Sequence, residues 1–341
     1  MKNLKIIFIF MLLFLFLVTA QGKKWTIMVY LCADNNLEAA GLDDFIEMAK
    51  VGSTADFDII VQLDRIPNYS TAYDDWRTCK RFHVTQGMTP TNANALMDIG
   101  EVNMGNPQVL VDFCKWTHDN YPADNYFLVL WDHGEGWRSF KDDTKGACDD
   151  YTTGDPDPND PVDPYYLNFS NGELQAAFDE CTTYFGKKFG IIGFDVCLDG
   201  MWENMVACEP YSYAFVASAM SEWNDGWSYW YFLEQLDAAN GNLTPVQLAN
   251  AVVDAYANGD DGYNNSDPSR TGWTLSAIDQ TKIPDLTYAI DILAQELMCA
   301  RESGYGTEIN NVRTATYQVD SYFTDQIELY DLCSCLLYTS D

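Results

Sequence analysis

The side chains of this 341-residue chain best suited to nucleophilic chemistry are ten cysteines, and only three histidines are present to act as their base. A thiol attacks well when a neighbouring base raises its thiolate fraction, and acyl transfer also needs backbone amides to hold the developing oxyanion. His83 lies inside Lys80-Arg81-Phe82-His83-Val84, where its neighbours suggest an exposed edge strand. His118 falls late in a helix-like segment, a favourable place for a cation. His133 ends the apolar run Asn125–Trp131 and is followed by Gly134 and Gly136, which give the backbone room to turn its amides toward a substrate. Cys32 and Cys197 both end apolar runs. Cys32 leads into Ala33-Asp34-Asn35-Asn36, a turn-and-cap sequence with no histidine beside it. Cys197 comes two residues after Asp195 and leads through Leu198-Asp199-Gly200 into a helix, whose start lowers a thiol pKa. The remaining cysteines fall mostly on helix-like faces or in loops and read as small hydrophobes or disulfide candidates. The residue types therefore point to Cys197 as nucleophile and His133 as base.

The elements that must position them alternate in type. Trp25–Ala33, Asp58–Leu63, Asn125–Trp131 and Lys188–Cys197 are apolar on both sides, as strands buried on both faces of a sheet are. Thr78–Thr85 reads as an edge strand, with Ala214–Ala219 and Trp273–Ile278 as further strands. Between them, helical spacing appears in Leu37–Val51, Pro107–Asn120, Asn171–Tyr184 with Asn171 as cap, Met201–Cys208, Tyr229–Ala238, Pro245–Asn258 behind the cap Thr244, and Ile283–Arg301. Residues 149–164 carry four prolines and six aspartates and are expected to form an exposed loop. Apolar strands separated by helices predict an α/β fold with a largely parallel sheet covered on both faces, and such folds work at the carboxyl ends of their strands. His133 and Cys197 stand at two such ends.

Composition narrows the surroundings. Asp and Glu total 51 against 19 Lys and Arg, a formal net charge of −32 that repels phosphate backbones and anionic headgroups. Nucleic acid is thereby disfavoured as a partner. Residues 1–20 read as a signal peptide: Lys2 and Lys5, the apolar run Ile6–Val18, then Val18-Thr19-Ala20 before a cleavage point. That run is shorter than the roughly 20 residues of a membrane span, and no later stretch is long enough. The expectation is a secreted protein with no stable membrane insertion after signal cleavage.

Six ordered segments resemble the clostripain family of cysteine peptidases: Trp25–Glu38, Leu128–Trp137, Gly146–Gly154, Ile191–Leu198, Ala217–Trp227 and Leu275–Lys282. The resemblance spans most of residues 25–300 and implies a caspase-like sandwich, a His-Cys dyad and cleavage of protein or peptide substrates after Arg or Lys. Carried over residue by residue, it makes His133 and Cys197 the dyad and gives the oxyanion hole to the amides of Gly134 and Cys197. It assigns Asp195 and Asp225 to the pocket for the basic side chain. Some relatives mature by cutting themselves between the two catalytic strands; Lys145, ahead of Gly146-Ala147, is the candidate bond here among Arg138, Lys141 and Lys145. Nothing in the sequence demands a cofactor, although some relatives use calcium and acidic loops abound.

The chain departs from the family pattern at Gly134-Glu135-Gly136, where relatives often have three glycines. It departs again at Ala219-Met220-Ser221-Glu222-Trp223, where the usual stretch is Gln-Glu-Thr-Glu-Pro. Leu336–Asp341 resembles translated adapter read-through, so residues 21–331 are taken as the peptidase-like domain and 332–341 as an artefact or truncated end. Two other readings stay open: a secreted binding protein on the same fold, and a related cysteine hydrolase of different specificity.

Overall fold

The structure is a computed structural model and describes residues 22–137, 147–152, 166–222, 225–259 and 274–317. The expected signal peptide, Lys145, most of the Asp/Pro loop and the C-terminal segment lie outside the described residues.

One eight-stranded sheet organises the chain, in the order β4-β3-β2-β1-β5-β6-β7-β8. Its strands are β1 (Lys23–Ala33), β2 (Phe57–Arg65), β3 (Cys79–His83), β4 (Met97–Gly100), β5 (Ala123–Trp131), β6 (Phe189–Asp195), β7 (Ser212–Ala217) and β8 (Ser276–Asp279). The five central strands β2-β1-β5-β6-β7 run parallel, while β3, β4 and β8 add antiparallel flanks. The helices are α1 (Glu38–Val51), α2 (Pro107–Asn120), α3 (Glu173–Phe185), α4 (Trp202–Cys208), α5 (Tyr229–Ala238), α6 (Pro245–Asn258), α7 (Ile283–Ala300) and α8 (Gly306–Ala315).

Strand alternation divides the core between two faces. Trp25, Ile27, Val29 and Leu31 of β1 pack with Phe45, Phe232 and Leu248, so α1, α5 and α6 cover one side. Met28, Tyr30 and Cys32 pack with Phe113, Phe178 and Cys208, so α2, α3 and α4 cover the other. This double cover is why β1 and β2 carry unbroken apolar runs at Ile27–Ala33 and Ile59–Val61; β2 is buried along its whole length. At its end Arg65 and Glu38 form a fully buried ion pair, Nε to Oε1 at 2.6 Å, with Ser70 N donating to the other Glu38 oxygen at 2.6 Å. Glu38 is thereby fixed at the start of α1, and with it the loop from β1.

Several expectations shift. Thr78–Thr85 contracts to β3 and lies second from the edge, because the short, partly exposed β4 pairs outside it. His83 is not a free edge residue, since its Nε2 meets Asp58 Oδ1 at 2.8 Å. Asn171 accepts a hydrogen bond from Glu173 N at 3.1 Å, yet the residue at the helix start is Gly172, at φ +87°. The eight described cysteines are all free thiols. Among the described residues, no helix is long and apolar enough to cross a membrane.

Candidate active site

β5 and β6 are adjacent and in register, Trp131 opposite Asp195, and Asp132 N donates to Asp195 O at 3.3 Å just past the paired region. The next residues along each strand, His133 on one side and Val196-Cys197 on the other, therefore emerge together. They line one cleft of about 350 Å³, with Trp131, Asp195, Glu222 and Gly226 contributing its inner wall. Cys197 is half-buried, whereas every other described cysteine except Cys299 is buried. Burial pushes the Cys32 thiol well up, which keeps it protonated and inert.

A tight turn presents Cys197. Leu198, directly after it, holds φ +68°, a left-handed conformation costing a non-glycine residue about 1–3 kcal/mol. The turn is fixed by Leu198 N donating to Met220 O at 3.0 Å and Gly200 N donating to Ser218 O at 2.6 Å. The expected aid from a helix start is displaced, because α4 begins only at Trp202. The described donor to the sulfur is instead Glu222 N, 3.1 Å from Sγ, which favours the thiolate directly.

His133 is held from the β1–α1 loop. Its Nε2 lies 3.0 Å from Asn36 Oδ1, which also accepts from Tyr151 OH at 3.3 Å. Asn35 beside it is buried and reaches Cys32 O (3.0 Å), Asp132 Oδ1 (2.6 Å) and Asp149 O (3.0 Å) through Nδ2, while Leu37 N donates to its Oδ1 at 2.8 Å. One asparagine thus joins the ends of β1 and β5 to the segment at 149. Burial, then the Asp149 charge, raises Asp132 well above the carboxylate range.

Gly134 is required by proximity. A Cβ there would lie 2.3 Å from the Cys197 carbonyl oxygen and 2.4 Å from Val196 Cγ2. Backbone cannot yield as a flexible side chain does, so Gly134→Ala should push the His133 segment away from Cys197. The expected result is folded protein whose Cys197 reacts with iodoacetamide roughly tenfold more slowly near neutral pH, because less of it is thiolate without the imidazole beside it. Unchanged alkylation would show that the close approach does not matter.

Carboxyl groups gather at the base of the cleft. Asp195 is 3% exposed and accepts from Tyr229 OH at 2.8 Å and Trp227 N at 3.3 Å. A Cβ on Gly226 would sit 3.1 Å from both Asp195 oxygens and from Asp44 Oδ2, so the two carboxylates converge on that glycine. Trp131 Nε1 donates to Asp44 Oδ2 at 2.6 Å. Burial raises Asp195 to about 6, with hydrogen bonds from the Glu222 carboxyl, then Tyr229 and Trp227, holding it down. Glu222, with both carboxyl oxygens buried, is raised well above its usual range by burial and then by the Asp195 charge. Asp225, by contrast, is exposed and does not line the cleft; after burial, its charge is what raises Asp43. Asp44, Glu222 and Asn36 are site residues that sequence reasoning missed. Glu222 stood in a quoted segment, but its burial had no local signal.

A half-exposed thiol at one parallel strand end, beside an imidazole at the next, places this molecule in the caspase-like class of folds. Residues 29–341 match the Clostripain family, and the chain belongs to it. It is 27% identical to clostripain of Hathewaya histolytica over 358 aligned positions, covering 92% of this chain but only 65% of that protein. A secreted C11 cysteine protease from Bacteroides thetaiotaomicron, solved with an irreversible peptide inhibitor, superposes with TM-score 0.57 at 21% identity, over 78% of this chain and 69% of the other. An inactive zymogen C11 protease from Parabacteroides distasonis gives 0.55 at 15% identity, over 78% and 64%.

Proposed function

We propose that the protein is an exported cysteine endopeptidase that cuts after Arg or Lys through a thioester acyl-enzyme. The observation that carries this reading is one cleft shared by the half-buried Cys197, His133 and the buried carboxyls of Asp195 and Glu222. Membership of the clostripain family supports it.

The Cys197 sulfur attacks the carbonyl carbon, and the amides of Gly134 and Cys197 take the oxyanion. As the C–N bond breaks, His133 gives its proton to the leaving amine and the acyl group remains on sulfur. Water activated by His133 then releases the acid and restores the thiol. Nε2–H donates to Asn36 Oδ1, which sets the orientation of the His133 ring. Asp195 and Glu222 receive the cationic side chain; Asp225, outside the cleft, adds field at the surface. The chain is made as a zymogen and cuts itself after Lys145, a bond outside the described residues.

Peptides with Arg, Lys, Asn or Leu before a fluorogenic leaving group test the reading. Arg and Lys should be cleaved at least about 10²-fold faster than Leu, as expected where a buried charge must be paired. Preference for Asn points to the related hydrolase of other specificity, and no turnover by an alkylatable Cys197 points to the binding protein.

A further inference from the structure

Four buried cysteines stand in two facing pairs that the proposed chemistry does not use. Cys32, near the end of β1, lies against Cys148, and Cys114 of α2 lies against Cys181 of α3, thiol beside thiol at hydrogen-bonding range. All four are at most 1% exposed and belong to the apolar core on the α2 and α3 side of the sheet. In the structure they are thiols, the reduced form of each pair. Cys79, by contrast, meets Met104 Sδ at 3.7 Å.

Contacts independent of the sulfurs bring each pair together. The Asn35 amide nitrogen donates at 3.0 Å to Cys32 O and at 3.0 Å to the carbonyl of Asp149, the residue after Cys148, so one nitrogen spans the gap between the two segments. Tyr151 N donates to Asp34 O at 2.9 Å a little further along. Cys148 itself holds φ +68°, a conformation that persists only where surrounding contacts fix it. Between the helices, Lys115 Nζ meets Glu180 Oε1 at 2.6 Å and Tyr184 OH donates to Asp119 Oδ2 at 2.9 Å. The two contacts advance by one turn on both helices, so α2 and α3 run side by side in the same direction, with Cys114 and Cys181 on their buried seam.

We propose that on export Cys32 bonds to Cys148 and Cys114 to Cys181, two disulfides that tie the chain together across its self-cleavage segment. The pairing rests on the export reading, which supplies an oxidising compartment, and its consequence rests on the cut after Lys145. Cys32 and Cys114 precede that bond in the sequence, and Cys148 and Cys181 follow it, so neither disulfide lies within one product. Cys148 becomes the third residue of the new chain, and its bond to Cys32 pins the fresh end beside the β1–α1 loop that holds His133.

Each bond forms by thiol–disulfide exchange. One cysteine thiolate attacks a small-molecule or protein disulfide oxidant and expels a thiol, and the second thiolate then displaces the remainder. The pair gives up two protons and two electrons, and the oxidant's S–S bond becomes two thiols. Burial pushes the Cys32, Cys114 and Cys148 thiols up, so exchange belongs to the folding chain, before the core closes, and the finished bonds are shielded from reductant.

The test uses full-length Cys197→Ala protein, unfolded in reductant and refolded with reduced and oxidised glutathione. Remaining thiols are alkylated with iodoacetamide in denaturant, and the links are mapped by mass spectrometry without reduction. The expected map joins Cys32 to Cys148 and Cys114 to Cys181, with Cys79 and Cys208 alkylated. The same protein refolded in dithiothreitol should melt at least about 5 °C lower. With dithiothreitol throughout, Cys32 stays a thiol, and replacing it costs only its packing. Cys148→Ser should lose the first link alone and Cys181→Ala the second alone. Cut wild-type protein should run as one band on a denaturing gel without reductant and as two fragments with it. Four alkylated thiols in protein that regains its fold, links between other pairs, or refolding only in dithiothreitol overturn the proposal. Cut protein that separates without reductant overturns the consequence. Because the map is read on uncut protein, its failure is distinct from failure of the self-cleavage reading.

Discussion

Cys197→Ala should abolish peptide hydrolysis, with kcat/KM falling by about 10³- to 10⁶-fold, while the protein keeps its melting temperature within a few degrees. The size follows from the chemistry: without sulfur no acyl-enzyme forms, and what remains is binding plus the oxyanion amides acting on water. Stability should hold because the thiol is only half-buried and lines the cleft, so its loss leaves no void sealed in the core. Cys32→Ala is the matched control. That thiol is buried behind the sheet, so its loss should cost stability, on the order of 1 kcal/mol, and leave turnover intact. Fluorogenic assays beside thermal melts of both variants decide the matter; appreciable turnover by Cys197→Ala would remove Cys197 from the mechanism.

Asp195→Asn should cost cleavage after Arg about 10²- to 10³-fold in kcat/KM and cleavage after a neutral residue little. Asparagine can still accept from Tyr229 OH and Trp227 N, so the wall of the cleft is retained while the charge is lost. Losing one partner of a buried ion pair costs about 3–5 kcal/mol, which sets the expected range. Acidity gives an independent check. With Asp195 raised to about 6 by burial, the empty pocket loses that charge below this pH, and the Arg-to-neutral rate ratio should fall as pH drops from 7 to 5. In Asp195→Asn the ratio should be flatter. The stability effect has the opposite sense. The folded state holds the Asp195 proton more tightly than the unfolded chain between about pH 4 and 6, so its contribution to stability declines as pH rises through that window. Above it the asparagine variant should be the more stable protein. A pH-independent ratio in the parent would exclude Asp195 as the selecting charge.

Much of this was legible from residues alone. Strands buried on both faces leave continuous apolar runs, so β1, β2, β5 and β6 could be read to within about two residues, with His133 and Cys197 at two of their ends. Capping chemistry fixed α6 closely, since Thr244 and Gln247 exchange hydrogen bonds ahead of Pro245 and beyond. What escaped depends on contacts distant in sequence. β4 is four residues long and carries no apolar run, so only its pairing with β3 defines it. Glu222 sits among polar neighbours, and its buried carboxyl follows from the approach of Asp195 and Trp227. The approach of Asp34 to Asp64 is likewise a product of strand order: one reads locally as a turn residue and the other as a strand end, and they meet because β1 and β2 pair.

The in-register pairing of β5 with β6 has a consequence for how this molecule tolerates change. The chain from one catalytic strand end to the next β-strand passes through α3, but the separation of imidazole and sulfur is set by one rung of the backbone ladder, not by the path between them. The connection can therefore lengthen, shorten or be severed while the working distance stays the same. Geometry resides in the frame and in the few contacts by which the connection returns to it, at Gly134, Asp149 and Tyr151.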